Sequence, residues 1–292
     1  MKIVVTGSES FVGKELIRQC NEKNIDVIGI DSVKIQKSDY EFFQLDIRSI
    51  EIEKFIPDNV EVIVHLAALS KDSSCRGKAY ECFDVNVMGT LNLMRIAKKK
   101  HAKQFIFASS EWVYDNFINN EEKDENSFID ISNHTSEYAL SKLVSEMNLK
   151  QEFLQNFCST TILRFGIIYG PREDNWSAVE AIFDMGKNKD KVTIGSLKTG
   201  RRFVHVSDIA NGIIQSFGLK GFNIINLTGE KIETLEDIIK ASEKILGKTL
   251  KIVETNPDNI SIRNPSNKKA EDIISWKPKI NLLQGLESLK GC

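Results

Sequence analysis

The apolar residues of this chain fall into short unbroken runs separated by longer amphipathic stretches. "KIVVT", "DVIGI", "EFFQL", "EVIVHLA", "QFIFAS" and "TTILRFG" are rich in valine, isoleucine and phenylalanine with little alternation, as strands buried on both faces require. Between them, "VGKELIRQCNEK" and "AYECFDVNVMGTLNLMRIAKKK" repeat apolar positions every three or four residues, the period of a helix with one buried face. Strand–helix–strand repetition of this kind predicts an α/β fold, a doubly wound parallel sheet covered on both sides, with ligands bound beyond the carboxyl ends of its strands. After Gly170-Pro171 the pattern loosens into a helix candidate over 177–187, a polar "GSLKTGRR", a helical "HVSDIANGIIQSF" and a strand-like "FNIINLT". The expected division is one domain over 1–168, with 203–228 returning to it, and a smaller interleaved C-terminal domain over 169–202 and 229–292.

Composition narrows the function classes. Of 292 residues, 41% are hydrophobic and 27% charged, with a net charge of −2. That balance suits a globular protein and gives no global attraction to nucleic acid or an anionic membrane. No apolar run approaches the roughly eighteen residues that a membrane span needs. Five cysteines (Cys20, Cys75, Cys82, Cys158 and Cys292) without Cys-x-x-Cys spacing argue against a zinc site or a disulfide framework and for a reducing compartment, so a cytoplasmic location is expected. His65, His101, His134 and His205 show no metal-ligand spacing, and no metal is expected.

Three stretches carry chemistry. "VVTGSESFVG" ends a strand in Gly7 and opens a helix near Phe11; the backbone N–H groups around Phe11 and Val12 would then face a pyrophosphate. Gly13 would let the helix lie close to the sheet, while Ser10 stands where a third glycine is usual in such loops. The second strand ends in Asp31, whose carboxylate would accept hydrogen bonds from both adenosine ribose hydroxyls and repel a 2′-phosphate, favouring NAD over NADP. "YALSK" sets Tyr138 and Lys142 four apart, on one face of a helix. A tyrosine of pKa ~10 is a poor base, but a neighbouring ammonium can lower it by roughly one to three pH units. Upstream, "FASSEWVY" ends a strand in Ser109, Ser110 and Glu111, where a hydroxyl could share a substrate proton with the tyrosine.

In this order, "TGSESFVG", Asp31, "LDI" (45–47), "HLAA" (65–68), "NVMGTLNL" (86–93), "SSEWVY", "YALSK", "RFGIIYGPR" (164–172), "RRFVHVSDIA" (201–210) and "NKKAEDIISWKP" resemble the extended short-chain dehydrogenase/reductases, specifically their NAD-dependent nucleotide-sugar epimerases and dehydratases. The resemblance runs over nearly the whole chain. It implies a Rossmann domain binding NAD, a C-terminal domain binding a nucleotide-sugar, and a homodimer built on the helices of 78–100 and of Tyr138. It further implies that Asp46 and Ile47 hold the adenine, that Leu66, Ala67 and Ala68 line the middle of the cofactor, and that Asn86 pins the adjoining loops. Ser110 becomes the catalytic hydroxyl, Tyr138 the base, and Lys142 the ribose ligand that tunes it. Arg201 and Arg263 become the clamp on the diphosphate, which suits two guanidinium forks. Four positions depart from the family's pattern: Ser10; Ile167, where many relatives have an asparagine; Asp115, where glycine commonly follows "VY"; and Trp112. The last fills the second place of an acidic pair that 4,6-dehydratases often carry, Glu111 filling the first. The expected activity is therefore a 4-epimerase acting through a transient 4-keto sugar. The alternatives are a 4,6-dehydratase, a 4-keto-sugar reductase, which Asp31 disfavours, and a silent NAD-binding regulator, which would not need the serine–tyrosine–lysine set.

Overall fold

Ile3, Val4 and Val5 lose all their accessible surface in the first strand, β1 (Lys2–Thr6), as an unbroken apolar run should in a sheet covered on both faces. The structure, a computed structural model, describes residues 1–114, 116–118, 121–172 and 177–291. Asp115, Trp176 and Cys292 lie outside the described residues.

After β1 come α1 (Phe11–Glu22), β2 (Asp26–Asp31), β3 (Glu41–Gln44) and β4 (Val62–His65). They are followed by α2 (Asp72–Cys75), α3 (Ala79–Phe83), a π-helical turn (Asp84–Met88), α4 (Gly89–Lys99), β5 (Gln104–Ser110), α5 (Glu137–Leu154) and β6 (Ser159–Phe165). A seven-stranded sheet runs in the order Phe222–Leu227, β6, β5, β4, β1, β2, β3. The pairs β1–β2, β1–β4, β2–β3 and β4–β5 are parallel. At the other edge Thr160 N–H donates to Gly221 O and Gly166 N–H to Leu227 O, both at 2.9 Å; partners that advance together make this pair parallel too. The order reverses between β1 and β4, which opens a crevice beyond their carboxyl ends. Val4, Ile28, Ile63, Phe105 and Ile162 of the sheet pack with Leu93, Ile96 and Leu149 of α4 and α5 into one core.

Two elements differ from the pattern reading. β3 is only half-buried, because it is the edge strand of the sheet. The run 79–100 is not one regular α-helix: it widens into the π turn at 84–88, which carries Asn86, buried and hydrogen-bonded away from the helix ladder. Such turns commonly accompany functional positions.

The chain divides into two units. The first comprises 1–115, 128–164 and 210–225 and contains most of the sheet; the second comprises 116–127, 165–209 and 226–292. In the second, Ala178–Asn188 and Leu235–Leu246 pack through Val179, Ile182, Phe183, Ile238 and Ile239. The longer helix starts with a Thr234–Asp237 capping box and ends at Gly247, whose φ of +67° makes a left-handed cap. The division corrects the sequence boundaries. Segment 116–127 belongs to the second unit because Lys123 N–H donates to Asn264 O (3.1 Å) and Lys123 O accepts from Ser266 N–H (2.8 Å). The Glu125 carboxylate also accepts from Asn226 N–H there (2.6 Å). Residues 203–209 stay in that unit, where Val204–His205 pairs in parallel with Ile168–Tyr169; 165–168 and 226–228 join them.

Candidate active site

The loop after β1 is set by its backbone. Gly7 has a φ of +73°, and a β-carbon there would lie 2.6 Å from Ala67 N. A β-carbon on Gly13 would lie 2.2 Å from Gly7 O and 2.6 Å from Ser8 O. Both positions therefore demand glycine. Ser10 does not: its φ is −68°, and its Oγ accepts from Gly13 N–H at 3.0 Å as the N-cap of α1. The serine in the middle of the loop begins the helix, leaving the first-turn N–H groups of Phe11 and Val12 at a helix N-terminus, where an anion is favoured. Asp31 ends β2 half-buried; its Oδ2 accepts from Glu9 N–H (2.9 Å) and its Oδ1 from Val33 N–H (3.1 Å). Each oxygen keeps a second lone pair for an incoming hydroxyl. Glu9 is in turn hydrogen-bonded by the Tyr40 hydroxyl, and Tyr40 packs over Gly29, where a β-carbon would meet its ring at 2.2 Å. Nothing in the residue pattern announces this support for the loop. A tight loop bounded by two obligatory glycines, a helix N-terminus and a terminal carboxylate fit a dinucleotide.

The neighbouring positions are held by hydrogen bonds of several kinds. The Asp46 carboxylate lies under Arg48, which donates to it at 2.9 and 2.6 Å and reaches Asp84 at 2.5 Å; these bonds hold Asp46 below the usual carboxylate range. Ile47 is buried against Gly89, and its carbonyl accepts from Asn92 Nδ2 at 2.8 Å. Leu66, Ala67 and Ala68 follow β4, half-buried, with Leu66 N–H on Thr6 O at 3.0 Å. Asn86 grips the end of that loop: its Oδ1 accepts from Leu69 N–H (2.8 Å), and its Nδ2 donates to Leu69 O (3.1 Å) and to Ser141 Oγ of α5 (3.0 Å). His65 is fully enclosed between Thr6 and Thr90. Thr90 donates its hydroxyl proton to Asn86 O, so His65 Nε2 donates to Thr90 and Nδ1 accepts from Thr6. Burial, then the charge of Lys142, pushes its pKa down to about 3, which makes it a neutral structural histidine.

Tyr138 and Lys142 do share a face of α5, but the ammonium takes a direction that spacing does not reveal. Lys142 Nζ donates to Ala108 O at 2.8 Å, over the Phe107 ring at 4.8 Å, and lies 5.9 Å from the Tyr138 ring centre. Tyr138 is accordingly not lowered; burial pushes its pKa up to about 12, against a hydrogen bond with the Ser110 hydroxyl that favours the phenolate. Burial also lowers Lys142 to about 8, opposed by Cys82, Glu146 and Cys75. Ser110 is buried and accepts from Trp112 N–H at 3.2 Å. Glu111 is completely enclosed, while Trp112 is 39% exposed. Cys20, Cys75, Cys82 and Cys158 are free thiols, and no group of acidic, cysteine or histidine side chains among the described residues could hold a metal. No helix among them is long and apolar enough to cross a membrane.

Arg201 and Arg263 belong to the second unit, where a bridge between Gly200 and Ile262 makes them neighbours. Arg201 donates to Ser261 O (2.5 Å) and Ser261 Oγ (3.0 Å). The buried Arg263 guanidinium stacks on the Phe117 ring at 4.8 Å, with Lys123 Nζ at 5.3 Å from the same ring centre. Lys123 and Arg202, which donates to Asn264 Oδ1 at 2.6 Å, are cations the sequence did not single out. Ile167 is half-buried against the core of this unit.

Residues 3–224 match the NAD dependent epimerase/dehydratase family. The chain belongs to that family. It is an enzyme of the NAD-dependent epimerase/dehydratases, and NAD is its cofactor. It is 31% identical to a Methanocaldococcus jannaschii protein provisionally named UDP-glucose 4-epimerase, over 98% of this chain and 96% of that one. It is 27% identical to UDP-glucuronic acid decarboxylase 6 of Arabidopsis thaliana, over 98% and 87%. A mutant UDP-glucuronic acid 4-epimerase of Bacillus cereus, solved with NAD and a 4-fluoro UDP-sugar, superposes with a TM-score of 0.85 at 25% identity, covering 99% of this epimerase/dehydratase and 97% of its own chain.

Proposed function

We propose that this enzyme is a nucleotide-sugar 4-epimerase. The observation that carries the reading is the pairing of the Ser110 and Tyr138 hydroxyls at the carboxyl end of β5, two strands from β1 and its glycine loop. NAD, when bound, would supply the hydride acceptor and donor for the sugar and a positive charge that favours the phenolate. The protein's part is proton traffic and orientation. Ser110 holds the C4 hydroxyl and passes its proton to Tyr138 as that oxygen becomes a carbonyl; the same pair gives the proton back after the 4-keto sugar has turned over. Lys142 supplies a donor for the nicotinamide ribose and stabilises the tyrosinate. Arg201 and Arg263 grip the diphosphate.

Glu111, enclosed directly after Ser110, favours a 4,6-dehydratase as the second reading, and Trp112 in the place of a second acid opposes it. UDP-glucose and UDP-glucuronate, the sugars in the names of the relatives, are the first substrates to supply with NAD, followed by GDP-, CDP- and dTDP-sugars. An epimerase returns the C4 epimer without solvent deuterium at C5, loss of the C6 oxygen or release of CO2. Any of those three changes assigns the enzyme to dehydration or decarboxylation instead.

Asp31 sets the cofactor preference in this reading. The unaltered enzyme is expected to bind NAD more tightly than NADP by calorimetry, and Asp31→Ala to narrow the gap; equal affinities before substitution contradict the assignment. A homodimer belongs to the same reading. It is supported by apolar side chains left exposed on two helical segments: Tyr80 (81%) and Met88 (55%) on one, Met147 (47%) and Leu154 (64%) on α5. An isologous four-helix contact would cover them. Sedimentation at micromolar concentration should give the dimer mass, and Leu154→Glu with Met147→Glu should give the monomer.

A further inference from the structure

Three consecutive residues of β5 are each tied to one of three α5 residues spaced a turn apart. Ser110 meets Tyr138, the Ala108 carbonyl accepts from Lys142, and between them Ser109 Oγ donates to Glu146 Oε1 at 2.5 Å. The third rung is not needed for the proton chemistry, yet it buries a full charge. Glu146 is completely enclosed and Arg164 is 2% exposed. The Arg164 guanidinium of β6 meets both carboxylate oxygens, at 3.1 and 2.7 Å, and lies 4.9 Å over the Tyr114 ring. A buried ion pair is a weak source of net stability, because desolvation offsets most of its attraction. What it does provide is a fixed register and a fixed negative charge.

We infer that Glu146, clasped by Arg164, is a positioning residue: it holds Ser109, and so Ser110, in register with α5, and it keeps the Lys142 ammonium charged. The inference rests on the roles given above to Ser110 and Lys142. Side chains four apart on a helix are neighbours, with β-carbons about 6 Å apart, so the carboxylate acts on the ammonium through a short, dry path. The other titratable groups facing Lys142 are Tyr138 on its own helix, Cys75 on α2, Cys82 on α3 and His65 on β4. Glu111 lies in the turn after β5 that packs on α5. All of these stay in place in the variants below. With Lys142 lowered to about 8, its proton is kept at neutral pH and lost as pH rises through 8. Removing the Glu146 charge brings that loss to lower pH.

The test is Glu146→Gln, which keeps the shape and leaves Arg164 uncompensated, beside Glu146→Gln/Arg164→Met, which removes both charges. Lys142 is titrated in ligand-free protein by NMR of lysines labelled at Cε, its signal identified by its loss in Lys142→Met. The alkaline limb of kcat/KM is measured in parallel. Glu146→Gln is expected to lower both values by about one pH unit or more, and the double variant to lower them less. If Glu146→Gln does not fold, the double variant carries the test with the same sign. An unmoved Lys142 titration in a folded variant overturns the inference, even where Lys142→Met is inactive. Full activity in Lys142→Met overturns the proposed function instead.

Discussion

Tyr138→Phe is expected to fold and to bind NAD as the parent enzyme does, and to lose roughly 10²–10⁴-fold in turnover, the size of a general acid–base contribution. The substitution removes one oxygen from a half-buried ring whose contacts are otherwise unchanged. Because burial holds the free phenol near 12, nearly all of it is protonated at neutral pH. The base must therefore be made in the assembled complex, where the Ser110 hydroxyl favours the anion and the positive charge of a bound dinucleotide would add to it. Ser110→Ala should cost less, since it orients the proton without keeping it. Lys142→Met should weaken both NAD binding and turnover. Turnover with a known substrate and calorimetry with NAD separate these outcomes, and unaltered turnover in Tyr138→Phe would rule out this chemistry.

Gly13→Ala tests the cofactor cradle, and here two effects of opposite sign compete. Replacing glycine by alanine in the first turn of α1 improves helix propensity by about 1 kcal/mol. The new β-carbon, however, would lie 2.2 and 2.6 Å from two backbone oxygens of the loop, atoms that cannot rotate aside. Relieving such a clash costs typically 1–3 kcal/mol in a packed interior, and it is relieved only by moving the loop that faces the pyrophosphate. The expected result is a lower melting temperature and at least about a tenfold loss of NAD affinity, since 1.4 kcal/mol is a factor of ten. A higher melting temperature with NAD affinity intact would mean that the helix does not press on the loop.

Much of the fold was legible because central strands of a doubly wound sheet advertise themselves. Every residue of β4 and β5 is buried, and the sequence there has no polar alternation to obscure the pattern. β3 was legible as a strand but not as an edge, because pairing order is not written in so short a run as "EFFQL". Segment 116–127 was misplaced for a similar reason: its attachment is a bridge of Lys123 to Pro265, a few backbone bonds and isolated side-chain contacts such as Glu125 on Asn226 N–H, which leave no side-chain periodicity. At the candidate site, spacing put Tyr138 and Lys142 on one face but could not choose the lysine rotamer. The Ala108 carbonyl did that, and with it went the expected lowering of the tyrosine. Glu146 stood in plain view, four residues past Lys142. What hid its relevance was that a glutamate on a helix is ordinarily solvated, and only the fold brings Arg164 and Ser109 to it.

The alternation of the chain between its two units has a consequence for how such a protein can change. Neither unit is a continuous length of polypeptide, so neither can be cut out, fused elsewhere or exchanged for a foreign counterpart as a cassette. A gene ending at residue 168 would lack the strand Phe222–Leu227 that completes the sheet, and would keep 116–127 stripped of the backbone partners at 264–266. New specificity on this scaffold has to arise by substitution and loop growth inside one indivisible gene, not by recombination of modules.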